Sequence, residues 1–114
     1  MGIPEITNEE EALAAVQKDG MALDHVPENL KTAEICLEAV KQRSEALYYV
    51  PEHLKTAELC LEAIKDDGRP LQVVPPELKT VELCLEAVKQ DYEAFEWVPE
   101  ELLEEVRRRL KNGD

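Results

Sequence analysis

The chain has 114 residues, 26 acidic against 13 basic, for a net charge of −13, and 44% of it is apolar. That length suits one domain with a continuous core, and the balance of apolar and charged residues excludes a disordered chain. The acidity disfavours nucleic acid and anionic membrane as partners, since both select a basic surface.

No apolar run approaches the ~20 residues of a membrane span. The start, Met1-Gly2-Ile3-Pro4, lacks the basic and apolar stretches of a secretion signal, so a cytoplasmic location is expected. Residues 3–19 read as an N-terminal capping unit. Asn8 suits a helix N-cap with Glu11 as its reciprocal acid three residues on. Glu9 and Glu10 complement the positive end of the helix dipole.

From residue 20 one phrase recurs. Residues 50–65 read Val-Pro-Glu-His-Leu-Lys-Thr-Ala-Glu-Leu-Cys-Leu-Glu-Ala-Ile-Lys, and near copies run from Val26 and from Val74. The register is 24 residues: Val26, Val50, Val74 and Val98; Thr32, Thr56 and Thr80; Cys36, Cys60 and Cys84. A period of this length predicts an all-α, solenoid-like stack of about four short helical repeats, each burying an apolar face on its neighbours. Residues 20–97 hold three full repeats.

Each long helix is expected to start at its threonine, whose hydroxyl takes a backbone N–H of the first turn. At 100° per residue, positions 33, 36, 37 and 40 share one side, with Ile35 and Ala39 on an adjoining arc. So wide an arc predicts packing on two sides and a buried Leu61 and Leu85 in the middle of the stack. Gly20 and Gly68 stand where a left-handed closing residue is expected, in register with Ser44 and Tyr92. A short helical segment of about one and a half turns follows. It must stop before Pro27, Pro51, Pro75 and Pro99, because the residue before proline avoids the α region. The Pro-Glu-x-Leu stretch restarts one turn, and Leu30, Leu54 and Leu78 are expected in the core.

Residues 98–114 read as a C-terminal capping helix: Leu102, Leu103, Val106 and Leu110 keep one apolar stripe over residues 100–111, and Arg107 to Lys111 suit its negative end. Caps at both ends lead us to expect a complete domain over residues 1–114. A leucine-rich α/β horseshoe also has a period near this length, but it needs a turning Asn or Cys after a strand. Here the cysteine lies within Glu-Leu-Cys-Leu-Glu-Ala-Val, a strong helix former.

The phrase Val-Pro-Glu-x-Leu-Lys-Thr-x-Glu-Leu-Cys-Leu-Glu-Ala-Val-Lys resembles a bacterial and protist helical repeat of unknown function. The resemblance implies helices and carries no activity, cofactor or site residue onto this chain.

No residue pattern points to catalysis, metal or cofactor. The cysteines share one register on successive helices ~8–10 Å apart, too far for a disulfide or a shared zinc. They are expected as core packing. His25 and His53 lie in different registers. Glu34, Glu58 and Glu82, with Glu38, Glu62 and Glu86, stand near Lys41, Lys65 and Lys89 and read as a solvated ridge. The registers that change between repeats lie in and around the short segment: Asp24, Tyr48, Gln72 and Glu96; His25, Tyr49, Val73 and Trp97; Asp19, Arg43, Asp67 and Asp91. A short-element face of this kind is often where repeat proteins bind. The first two of these registers are therefore the candidate face, with Tyr49 and Trp97 as aromatic anchors, on a monomeric, non-enzymatic interaction module for a protein partner. Two rivals remain: an acidic mimic that binds a basic protein through the glutamate ridge, and an enzyme whose site the sequence does not show.

Overall fold

The computed structural model describes residues 5–113, and among them the regular elements are all helices. Five α-helices alternate with shorter 3₁₀ helices: α1 (Glu9–Lys18), α2 (Ala33–Gln42), α3 (Ala57–Ile64), α4 (Val81–Gln90) and α5 (Glu100–Lys111). Between them lie Gly20–His25, Ser44–Tyr49, Arg69–Val73 and Tyr92–Trp97. Each of the first three is followed by a three-residue turn, at Glu28–Leu30, Glu52–Leu54 and Pro76–Leu78.

Each α-helix packs on the next in the chain, and each longer 3₁₀ helix packs on the next of its kind. The result is long and narrow, 51 × 22 × 19 Å. Its radius of gyration is 15.4 Å, against roughly 13 Å for a globular chain of this size.

Local chemistry sets the element boundaries. The hydroxyls of Thr32, Thr56 and Thr80 accept from the backbone N–H of Ile35, Leu59 and Leu83 at 3.2, 3.1 and 3.1 Å. Asn8 caps α1 in the same way, accepting from the Glu11 N–H at 2.8 Å. The Glu11 carboxylate returns chiefly to the N–H and hydroxyl of Thr7, with the Asn8 N–H as a weaker partner. Val26, Val50, Val74 and Val98 end the 3₁₀ helices in extended backbone before each proline, and all four are buried.

Several expectations need correction. The short segments are 3₁₀ helices, whose tighter turn suits runs of five or six residues closed by a proline. Leu30, Leu54 and Leu78 pack against the core but are only partly buried. Ala33 is exposed. Leu85 is buried, whereas Leu61 is 41% exposed. The buried arc of each middle helix runs through Ile35, Cys36, Ala39 and Val40 and their counterparts. Its edge falls short of the Leu61 register. At the end of the array α5 runs twelve residues without a break and packs on α4, with Arg109 reaching Glu82 at 3.2 Å.

Gly20 and Gly68 do not adopt the left-handed conformation; among the described residues the positive φ belongs to Gly113, after α5. The constraint on them is space. A Cβ on Gly20 would lie 2.3 Å from the Ala39 carbonyl oxygen, and one on Gly68 2.1 Å from that of Ala87. Both glycines let the start of a 3₁₀ helix press against the carbonyl end of the next α-helix.

Candidate functional site

The variable registers divide once the 3₁₀ helices are side by side. Asp24, Tyr48, Gln72 and Glu96 are all exposed. In the adjoining register His25 is exposed, whereas Tyr49, Val73 and Trp97 are partly buried against the core. The anchors chosen from sequence, Tyr49 and Trp97, therefore cover the stack with part of their surface. Tyr48 is the more open tyrosine, and its phenol oxygen accepts from the Gln72 amide of the next repeat. Burial is the main cause that holds the Tyr48 phenol above its ordinary pKa, the Gln72 bond acting the other way.

The third variable register is structural in part. Asp19, Asp67 and Asp91 accept from the backbone N–H two residues on, at 2.9, 3.0 and 2.9 Å, and so cap the 3₁₀ helices. Asp67 also holds the Arg69 guanidinium, and those hydrogen bonds keep its carboxyl below the usual range. Arg43 offers no such cap and lies near Asp19 and Glu45, at 3.8 and 3.5 Å.

Beneath this face lies a lysine ladder that the sequence reading overlooked. Lys31, Lys55 and Lys79 donate from Nζ to the carbonyls of Tyr49, Val73 and Trp97 at 2.8, 2.9 and 2.9 Å, each eighteen residues on. These carbonyls are near the ends of the 3₁₀ helices and need a donor. The lysine stems run through the packed interior, leaving the Lys31 and Lys55 side chains only 7% and 5% exposed. Glu28 and Glu52 meet the first two ammonium groups at 2.8 and 2.7 Å. In the third repeat Pro76 occupies the glutamate register, and Lys79 has no carboxylate within ion-pair distance among the described residues. The ladder thus ties the backbone under Tyr49, Val73 and Trp97 to the preceding repeat. The signal was present in the sequence as a lysine that never varies before each capping threonine.

Lys55→Met keeps the stem and removes the ammonium. It is expected to cost about 1–2 kcal/mol in urea unfolding, because the Val73 carbonyl loses a charged donor. A cost near zero would show that water replaces the lysine freely.

The cysteines are fully buried free thiols. Burial pushes each thiol up to about 11, against a smaller opposing pull from the ladder lysine of its own repeat. Thiolate is therefore scarce at neutral pH as well as shielded. A thiol reagent at pH 8 is expected to label native protein slowly and unfolded protein at once. Rapid labelling of the native chain would mean that the repeats open far more often than their packing implies.

Among the described residues, no group of three or more His, Cys, Asp and Glu is placed to hold one metal ion. His25 and His53 are both exposed and stand on separate repeats. Glu34, Glu58 and Glu82 are exposed, and within the ridge Lys65 lies 3.6 Å from Glu62 while Arg109 pairs with Glu82. No helix among the described residues is long and apolar enough to cross a membrane.

No curated protein and no solved structure matches the chain. The model of a family described as a domain of unknown function, DUF4116, matches it twice in succession, over residues 8–55 and 57–103. Each match takes in two α-helices with their intervening 3₁₀ segments. With well over half of its length covered by two adjoining copies, the chain belongs to the DUF4116 family.

Proposed function

We propose that this protein is a non-enzymatic interaction module built of 24-residue helical units, two to each family match, that presents its 3₁₀-helix face to a protein partner. The observation that carries this reading is the exposed register Asp24, Tyr48, Gln72 and Glu96, on four elements lying side by side. The framework beneath it repeats almost unchanged while these residues differ from unit to unit. Framework constancy with side-chain diversity on one row suits recognition of an extended segment or a helix laid along the array. Tyr48 and Trp97 are the preferred anchors, because large aromatic side chains dominate interface energetics.

The test begins with affinity capture from the source cell, then compares two variants against the recovered partner. Tyr48→Ala with Trp97→Ala is expected to weaken binding tenfold or more, about 1.4 kcal/mol. Urea unfolding of the same variant separates lost contact from lost stability, since Trp97 also packs on the core. Charge reversal at Glu34 and Glu58 is expected to change the association rate and its salt dependence far more than the affinity. If the reversal abolishes binding and the aromatic pair does not, the acidic-mimic reading replaces this one.

A further inference from the structure

The links that lead from α1, α2 and α4 into the following 3₁₀ helix are built alike. Asp19, Arg43 and Asp91 each donate a backbone N–H back into the α-helix, to the carbonyls of Ala15, Ala39 and Ala87, at 3.0, 2.9 and 3.0 Å. Each then accepts at its own carbonyl from the alanine three residues on, Ala22, Ala46 or Ala94, at 2.9 Å. Extended backbone at that residue turns the chain between the two bonds. A single residue thus pins both helices.

Asp67, in the same register after α3, makes neither bond. Pro70 stands in the place of the three alanines and has no N–H to give. Asp66 stands where the other units have Lys18, Gln42 and Gln90, and with Asp67 and Gly68 it forms a run that favours leaving a helix. α3 therefore closes at Lys65 and has eight residues, against ten in α2 and α4. What the link keeps is a side-chain clasp. Asp67 accepts from the Arg69 backbone N–H at 3.0 Å and from its guanidinium at 3.1 and 2.9 Å. Arg69 is exposed, and an ion pair open to water restrains a backbone weakly.

We infer that this link is a hinge, about which residues 68–113 swing as one body against residues 5–65. What crosses it sets the direction. Along the 3₁₀ row the two halves are tied: Lys55 reaches the Val73 carbonyl at 2.9 Å, and Gln72 reaches the Tyr48 phenol oxygen. On the α-helical side, α3 and α4 pack on each other least of any successive pair. Gly68 sits hard against the Ala87 carbonyl, so the end of the link travels with α4. The movement parts α3 from α4, leaves the 3₁₀ row joined and bends the array. Hinges absorb such a change in a few residues at the ends of elements. The curvature of the row Asp24, Tyr48, Gln72 and Glu96 adjusts with it. The bend belongs to the chain alone and is measured without a partner.

Double electron–electron resonance tests it, with nitroxides attached through p-acetylphenylalanine so that the native cysteines stay untouched. Glu10, Glu34, Glu58 and Glu82 share one exposed register. The pair Glu34–Glu82 spans the hinge and the pair Glu10–Glu58 lies to one side of it, each two helix spacings apart, ~16–20 Å. The spanning pair is expected to give the wider distance distribution. Pro70→Ala returns the missing donor and is expected to narrow that distribution toward the other. Arg69→Gln opens the clasp at an exposed position and is expected to widen it further. Both variants are expected to leave the Glu10–Glu58 pair unchanged. Pro70 is buried, so if its variant unfolds by circular dichroism, Arg69→Gln alone decides. Equal widths for the two pairs in the wild-type chain would overturn the proposal, and so would a spanning width that Arg69→Gln does not move.

Discussion

Leu47→Ala is expected to destabilise the protein by about 2–5 kcal/mol, the range for removing a buried leucine from a core that only partly relaxes. Leu47 has no exposed surface and belongs to the central row that also holds Leu23 and Leu71. Leu61→Ala is the informative comparison. With 41% of its surface in water, Leu61 has less burial to lose, and the change should cost about 1 kcal/mol or less. Both values come from urea unfolding monitored by circular dichroism, with the m-value held constant between variants. Equal costs for the two leucines would mean that a face left open here is covered in solution.

The Leu61 contrast marks the limit of what the sequence discloses. Helix periodicity names the residues on one side of a helix, but not how far the neighbour extends over it. The Leu37, Leu61 and Leu85 register is one position on the wheel with three different outcomes, half-buried, exposed and buried. Those outcomes depend on what packs alongside, which the periodicity of one helix does not carry. The threonine caps were legible because capping is local: a hydroxyl, three residues and an extended backbone suffice. The buried cysteines were legible because they lie at the centre of the apolar arc, where small errors in its width do not matter.

The lysine ladder was not legible for the opposite reason. A lysine before a threonine cap looks like any surface lysine, and its partner lies eighteen residues away, on the next repeat. Only the packing of one unit on another brings the ammonium to that carbonyl. The candidate face was affected in the same way. The sequence identified which positions vary, yet exposure divides them: Tyr48 and Gln72 outward, Tyr49 and Trp97 partly inward, Asp67 and Asp91 spent on capping. Variation between repeats thus mixes positions free to differ with positions where a second solution exists.

Gly68→Ala sets two opposed effects against each other, and their magnitudes decide the sign. Gly68 has φ −78° and ψ −17°, a conformation alanine adopts without strain. On backbone grounds alone the change should stabilise by ~0.4–1 kcal/mol, by restricting the unfolded chain. The added Cβ, however, would stand 2.1 Å from the Ala87 carbonyl oxygen and 2.9 Å from its carbon. Both are backbone atoms in α4, so no side chain can swing aside, and relief requires the Arg69–Val73 helix and α4 to separate. That separation would strain the packing of Pro70 and Leu71, which are buried beside the contact. Overpacking of this kind costs ~1–3 kcal/mol and occasionally more, and a contact with fixed backbone belongs at the upper end. The expected result is therefore a net loss of ~2 kcal/mol or more in urea unfolding, taking the overpacking range less the entropic gain. Gly20→Ala, with its 2.3 Å approach to Ala39, should fall in the same direction. Ser44, already carrying a side chain in this register, should accept alanine with little change. If Gly68→Ala proved stabilising, the two repeats would have to pack farther apart than the structure places them, and the space argument for both glycines would fail.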